Sequence, residues 1–285
     1  MRPLGAALVA LAVWFTACAR PVPPAPRPSA VTLVPAANAP ARSISVPDEI
    51  REYLNHDDFH WKCNQTPHFL LCYQSASEAE RSIKDLEIIA EQDRDTVLQM
   101  IGEPEYQQRI YAFFVKSRRD LKKLIGFYGD GRSRPLQHAT FYVIDGPRTL
   151  AHEMAHEITT NLWGAGEPWI EEGLAVYVTE FPILDGDAHA YYAAKRLLPL
   201  EQLVTANWES SMYSPDITYT ELGSFVKFLD KKYGMKRIQQ AWKGGAKSVA
   251  EVFGKTLADL EKEWLATLAE PAPPIKTLIY RNNNL

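Results

Sequence analysis

Short unbroken apolar runs alternate with longer stretches of helical spacing along this chain. His68-Phe69-Leu70-Leu71-Cys72-Tyr73, Arg109–Lys116 (RIYAFFVK) and Ala139–Ile144 (ATFYVI) are rich in aromatic and β-branched residues and predict strands. Ser75 with Glu78 predicts a capping box that opens an amphipathic helix running through Ile101, ended by Gly102. Ser117 with Asp120 starts a short helix that stops at Gly126. The segment Phe127–Gln137 carries Gly129, Gly131 and Pro135 and predicts a loop, and Asp145-Gly146-Pro147 closes the third strand. Leu150, Met154, Ile158 and Leu162 recur every four residues, a stripe that buries a helix, and Gly164 and Gly166 stop it. Pro168–Tyr177 predicts a second helix, placed to fold back on the first. Beyond it the pattern is helical: Ala188–Leu197, Leu200–Ala206, Thr220–Tyr233, Met235–Trp242, Val249–Phe253 and Leu257–Leu268. No internal repeat is visible. The fold class this order predicts is α+β, with a small N-terminal sheet and its helices, a central helix around His152, and a mostly helical C-terminal half.

Composition narrows the class. The chain has 285 residues, 46% hydrophobic and 23% charged, with a net charge of −4. That suffices for a sizeable core, and nothing basic points to nucleic acid. Arg2 and the apolar stretch Leu4–Ala17 predict a signal peptide over residues 1–17, too short for a comfortable membrane span. It ends Phe15-Thr16-Ala17-Cys18, which resembles a bacterial lipobox. The resemblance implies a lipid on Cys18 and a membrane-anchored protein of the cell envelope; plain cleavage near Ala17 or Ala19 is the alternative. Residues 18–47 are rich in proline and alanine and predict a tether. Residues 48–270 then form the folded domain, and 271–285 a frayed tail. With Cys18 assigned to the lipid, Cys63 and Cys72 remain as an even pair in an exported chain, which predicts a disulfide across the turn-like Asn64-Gln65-Thr66-Pro67.

The candidate chemistry lies at His152-Glu153-Met154-Ala155-His156, an H-E-x-x-H pattern. Two histidines one helical turn apart can hold one ion, and Glu153 can reach a water on that ion instead of the ion itself. A catalytic zinc needs a third protein ligand and an open position. Either Glu171 or Glu172 on the second predicted helix can supply that ligand.

Trp169-Ile170-Glu171-Glu172-Gly173-Leu174-Ala175-Val176-Tyr177 resembles the W-x-x-E-G-x-A-x-Y stretch of the gluzincin zinc peptidases. The resemblance implies His152, His156 and Glu172 as ligands of one Zn2+ and Glu153 as general base. It also implies an oxyanion-stabilising tyrosine, Tyr219 in Ile217-Thr218-Tyr219-Thr220-Glu221-Leu222-Gly223, with Tyr213 in reserve. The order of elements from Pro67 to Ala269, through Gly254-Lys255-Thr256-Leu257 and Leu260-Glu261-Lys262-Glu263-Trp264, resembles the bacterial peptidase-MA-like domain and implies a zincin-like architecture. Gluzincin aminopeptidases carry a Gly-x-Met-Glu-Asn element that His138–Ala151 lacks. An endopeptidase acting on a peptide or protein is therefore the expected activity. The strand Ala139–Ile144 either lines the cleft as an edge for the substrate or lies inside the sheet. His138 and His189 read as surface or loop histidines, and Trp169 and Tyr177 as core. Two other functions fit the same residues: a peptide- or envelope-binding module without turnover, and hydrolysis of a non-peptide amide. The intact Glu153 argues against the module.

Overall fold

A computed structural model describes residues 46–144, 150–179, 188–189, 192–193, 195, 197–205 and 215–269. The signal peptide, Cys18, nearly all of the tether, Asp145-Gly146-Pro147, part of Ala188–Leu197, Tyr213 and the tail lie outside the described residues. Elements in chain order are α1 (Asp48–Leu54), β1 (Trp61–Gln65), β2 (Phe69–Gln74), α2 (Glu78–Arg81), α3 (Ile83–Ile101), β3 (Ile110–Val115), α4 (Arg118–Ile125), β4 (Gly131–Arg134) and β5 (Ala139–Val143). They continue with α5 (Ala151–Trp163), α6 (Pro168–Thr179), α7 (Leu200–Thr205), α8 (Pro215–Tyr233), α9 (Met235–Ala241), α10 (Gly245–Phe253) and α11 (Leu257–Ala269). The chain is thus α+β, with a mixed five-stranded sheet and a mostly helical remainder.

The strand order is β1-β2-β3-β5-β4. The inner strands run parallel, β2 beside β3 and β3 beside β5, while β1 and β4 are antiparallel additions at the two edges. Every residue of β2 and β3 is buried, because helices cover both faces and no position is left for water. Side chains alternate between two cores. Phe69, Leu71, Ile110, Ala112, Phe114 and Tyr142 join α3, α5 and the helical half. Leu70, Cys72, Tyr111, Phe113, Val115 and Phe141 pack under α1 and α4. Cys63 faces Cys72 across β1 and β2, and the two are bonded, Cα to Cα 4.1 Å.

Four expectations change. The cap after β2 is Ser77, whose hydroxyl accepts from the Glu80 N–H at 3.1 Å, and a break at Ser82 separates the short α2 from α3. Ser-x-x-Glu occurs twice here, two residues apart, and the spacing alone does not choose between Ser75 and Ser77. The expected loop Phe127–Gln137 contains β4 and a 3-10 turn at Pro135–Gln137. β4 has no apolar pattern of its own and exists by pairing with β5. β5 is therefore an interior strand, and β4 is the edge. Lastly, Leu162 is 39% exposed while Trp163 is buried. A strict four-residue stripe drifts around a helix of 3.6 residues per turn, and by the fourth member it has left the core.

α6 packs against α8 closely enough to require glycine at position 173. A Cβ there would fall 2.6 Å from Val226 Cγ2 and 2.9 Å from the Leu222 carbonyl oxygen. Backbone cannot yield as a side chain can. Gly173→Ala is expected to destabilise the fold by about 1–3 kcal/mol, the usual cost of overpacking. Denaturant unfolding checks this, and an unchanged midpoint would show that α6 and α8 slide apart freely.

Candidate metal centre

α5 is fixed before it presents its histidines. At its start the Leu150 N–H donates to Asp93 Oδ2 at 2.5 Å, and the Tyr142 hydroxyl donates to the Leu150 carbonyl at 3.1 Å. Halfway along, the fully buried Glu157 accepts from Tyr106 Oη at 3.3 Å and Asn161 Nδ2 at 2.9 Å, and its Oε1 lies 3.0 Å from His138 Nδ1. Burial pushes the Glu157 carboxyl up to about 7 against the pull of His138 and Tyr106. This cluster ties α5 to the turn before β5, since His138 stands at φ 51° just ahead of that strand. His138 is thus a loop histidine, as expected, whose ring also joins a junction with the buried Glu157. The signal was present: Glu157 falls three residues after Met154, on the apolar side of the helix.

Gly164 ends α5 at φ 80°. Trp242 clamps the connection, donating from Nε1 to the Gly164 carbonyl at 2.8 Å and accepting the Glu167 N–H at 3.0 Å. Glu171 Oε1 accepts the Gly166 N–H at 2.5 Å, so Glu171 serves the turn. Glu172, one residue on, turns to α5. Trp169 and Tyr177 are buried on the same helix, and the Tyr177 hydroxyl donates to Asp230 on α8 at 2.9 Å.

His152, His156 and Glu172 converge, and they form the one metal-capable group of three found among the described residues. The two imidazole Nε2 atoms stand 3.3 Å apart, and Glu172 Oε2 stands 3.4 Å from His152 Nε2 and 3.5 Å from His156 Nε2. A tetrahedral zinc with ligand bonds of roughly 2.0–2.1 Å separates its ligand atoms by about 3.4 Å. The contacts to Glu172 are long for hydrogen bonds, and its Oε2 is buried with no hydrogen-bond partner. Three donor atoms facing one point, one of them orphaned, fit a bound cation. Two imidazoles and a carboxylate suit zinc. His152 and Glu172 keep about a third and a quarter of their side-chain surface exposed (32% and 25%), leaving the point open to solvent on one side.

The surroundings set the charges. Burial alone would raise the Glu172 carboxyl, but the two histidines outweigh it and hold Glu172 well below the usual carboxylate range. Burial works against protonated His156, yet Glu172 and the neighbouring acids raise it. Glu153 is raised by burial and by Glu172, with the histidines opposing. On its other side Glu153 meets β4: a Cβ on Gly131 would lie 2.5 Å from Glu153 Oε1. Only a residue without a side chain lets the edge strand come this near the carboxylate. Tyr219 reaches over from α8, its ring 6.3 Å from that of His152 and 38% exposed. Burial and the negative charges of Glu172 and Glu153 push its hydroxyl up to about 12, so it is a donor at neutral pH.

Sequence reasoning missed β4 as a wall of this site and Glu157 as its brace. His189 lies elsewhere, its Nδ1 2.9 Å from the Leu268 carbonyl oxygen. No helix among the described residues is long and apolar enough to cross a membrane. Compared with known proteins, no family model matches the chain, and no curated protein is significantly similar to it.

Proposed function

We propose that this chain is a zinc-dependent endopeptidase with a zincin-like, gluzincin-type site similar to that of peptidase-MA-like domains, held in the bacterial cell envelope by a lipid on Cys18. The observation that carries the reading is the triangle of His152 Nε2, His156 Nε2 and Glu172 Oε2, with edges of 3.3–3.5 Å, beside a half-buried Glu153. When bound, zinc supplies a water acidified to a pKa near roughly 7 and a Lewis acid for a carbonyl. Glu153 then takes a proton on its carboxylate and passes it to the leaving amine. Tyr219 donates its hydroxyl hydrogen to the oxyanion of the tetrahedral intermediate. The substrate backbone pairs with the free edge of β4, in place of the strand Ala139–Ile144 that the sequence suggested. The Cys63–Cys72 bridge suits an exported chain.

Zinc analysis of the purified chain, together with cleavage of an unbiased peptide library, tests this reading. About one zinc per chain and chelator-sensitive cleavage are expected; a chain that takes up no zinc ends it. Tyr219→Phe removes a single hydroxyl from a half-exposed ring, so folding and metal content should survive while kcat falls by roughly 10²–10³. Near-normal turnover would move the oxyanion role to another residue.

A further inference from the structure

Among the described residues, β4 is paired on one side only, by β5. The Val143 N–H donates to the Asp130 carbonyl at 2.8 Å, which makes Asp130 and Val143 a hydrogen-bonded pair. With Gly131 opposite Tyr142 and Ser133 opposite Thr140, antiparallel geometry turns the N–H and C=O of Gly131 and Ser133 away from β5, toward the open edge. The Cβ direction at Gly131 runs to Glu153 on α5. Alternation then sends Arg132 to the opposite face. There its guanidinium lies 5.1 Å above the ring of Phe127, and that ring in turn is folded over Gly129. Arg132 is exposed, and no ion pair to it forms among the described residues. Asp130, the acid nearest in sequence, is held by Arg118 through two contacts of 2.6 and 2.5 Å.

We propose that Arg132, backed by Phe127, selects substrates with an acidic side chain one or two residues from the bond cleaved. The proposal rests on the peptidase reading of the site. A peptide paired along β4 places one residue opposite Gly131, next to Glu153, and the adjoining residue opposite Arg132. Residues directly opposite in an antiparallel pair share a face, with Cβ atoms about 4.5–5.5 Å apart. The side chain that meets Arg132 is therefore fixed by register. A side-chain carboxylate is selected over a terminal one because side chains stand perpendicular to the sheet, whereas the chain end continues in its plane. The aromatic backing holds the guanidinium in place, so less freedom is lost when the carboxylate arrives.

The test uses uncharged extended peptides that differ by Asp, Asn or Lys at single positions around the cleaved bond, each with a free or an amidated C-terminus. Cleavage is measured as kcat/KM on the zinc-loaded chain, and binding as Kd on the Glu153→Gln chain, with Arg132→Gln and Arg132→Glu in both formats. At one position Asp should exceed Asn by roughly threefold to fivefold, the scale of an exposed opposite-charge pair, and should lose that lead at high salt. The lead should fall to about one in Arg132→Gln and pass to Lys in Arg132→Glu. Equal treatment of Asp and Asn by the unaltered chain overturns the proposal. So does a lead that survives in Arg132→Gln, or one that follows the free C-terminus instead of the side chain. Charge discrimination in binding without any cleavage would end the peptidase reading and this selection of substrates with it, leaving Arg132 as a contact for a bound peptide. Cleavage without discrimination would end this one alone.

Discussion

Glu153→Gln is expected to keep fold and zinc and to lose about 10²–10⁴ of its turnover, the contribution typical of a general base. The argument begins with what Glu153 does not do. The converging atoms belong to His152, His156 and Glu172, so an amide at 153 removes no ligand. Glutamine has nearly the same shape and keeps the close approach of Gly131, whose Cα faces the Glu153 carboxylate. It cannot accept a proton. Burial holds Glu153 above an ordinary carboxylate, which moves its basicity toward that of a group working near neutrality. Steady-state kinetics with matched zinc analysis is the measurement. Near-normal turnover at full metal content would defeat water activation by this carboxylate.

Glu172→Ala is expected to strip the site of zinc. Removing one of three ligands should weaken binding by more than the roughly 10–100-fold typical of losing a residue that only braces a ligand. Two partly buried imidazoles 3.3 Å apart would face each other with no carboxylate between them. Glu171→Ala is the matched control. Its carboxylate holds the Gly166 N–H, so its loss should loosen the turn before α6 and leave the metal bound. Competition with a chromogenic chelator separates the two. Zinc retained in Glu172→Ala and lost in Glu171→Ala would reverse the ligand assignment.

The elements read from sequence were those that carry their own pattern. β3 is apolar throughout because both of its faces are covered, and α4 begins with a Ser117 cap and ends at a left-handed Gly126. The two helices bearing the candidate ligands were legible for the same reason, since spacing, glycine stops and a proline start are all local. β4 was not legible. Gly131-Arg132-Ser133-Arg134 has no apolar face, and its strand character comes from β5, eight or so residues away along the chain. Of the two places the sequence left open for Ala139–Ile144, edge or interior, the structure takes the interior. The choice between Ser75 and Ser77 as cap, and the inward turn of Glu157, likewise depend on what packs alongside.

The two edges of the sheet are held differently, and the difference bears on how the chain avoids itself. β1 is tied into the domain through its side chains. A disulfide joins it to β2, Lys62 pairs with Glu80 on α2, and Asn64 donates to Glu87 on α3 at 2.6 Å. β4 pairs with no other strand on its outer side among the described residues. An unpaired edge is a template for any strand, including the same strand of a neighbouring molecule. In a symmetric antiparallel match centred on Ser133 that kept both copies of α5 on one side of the sheet, Arg132 of one molecule would stand opposite Arg134 of the other. Like charges directly opposite are unfavourable, and so short an edge offers few hydrogen bonds to offset them. Arg132, which the proposed specificity would turn toward an acidic guest, would in that register disfavour a second copy of the chain, so one side chain would serve both substrate choice and colloidal stability.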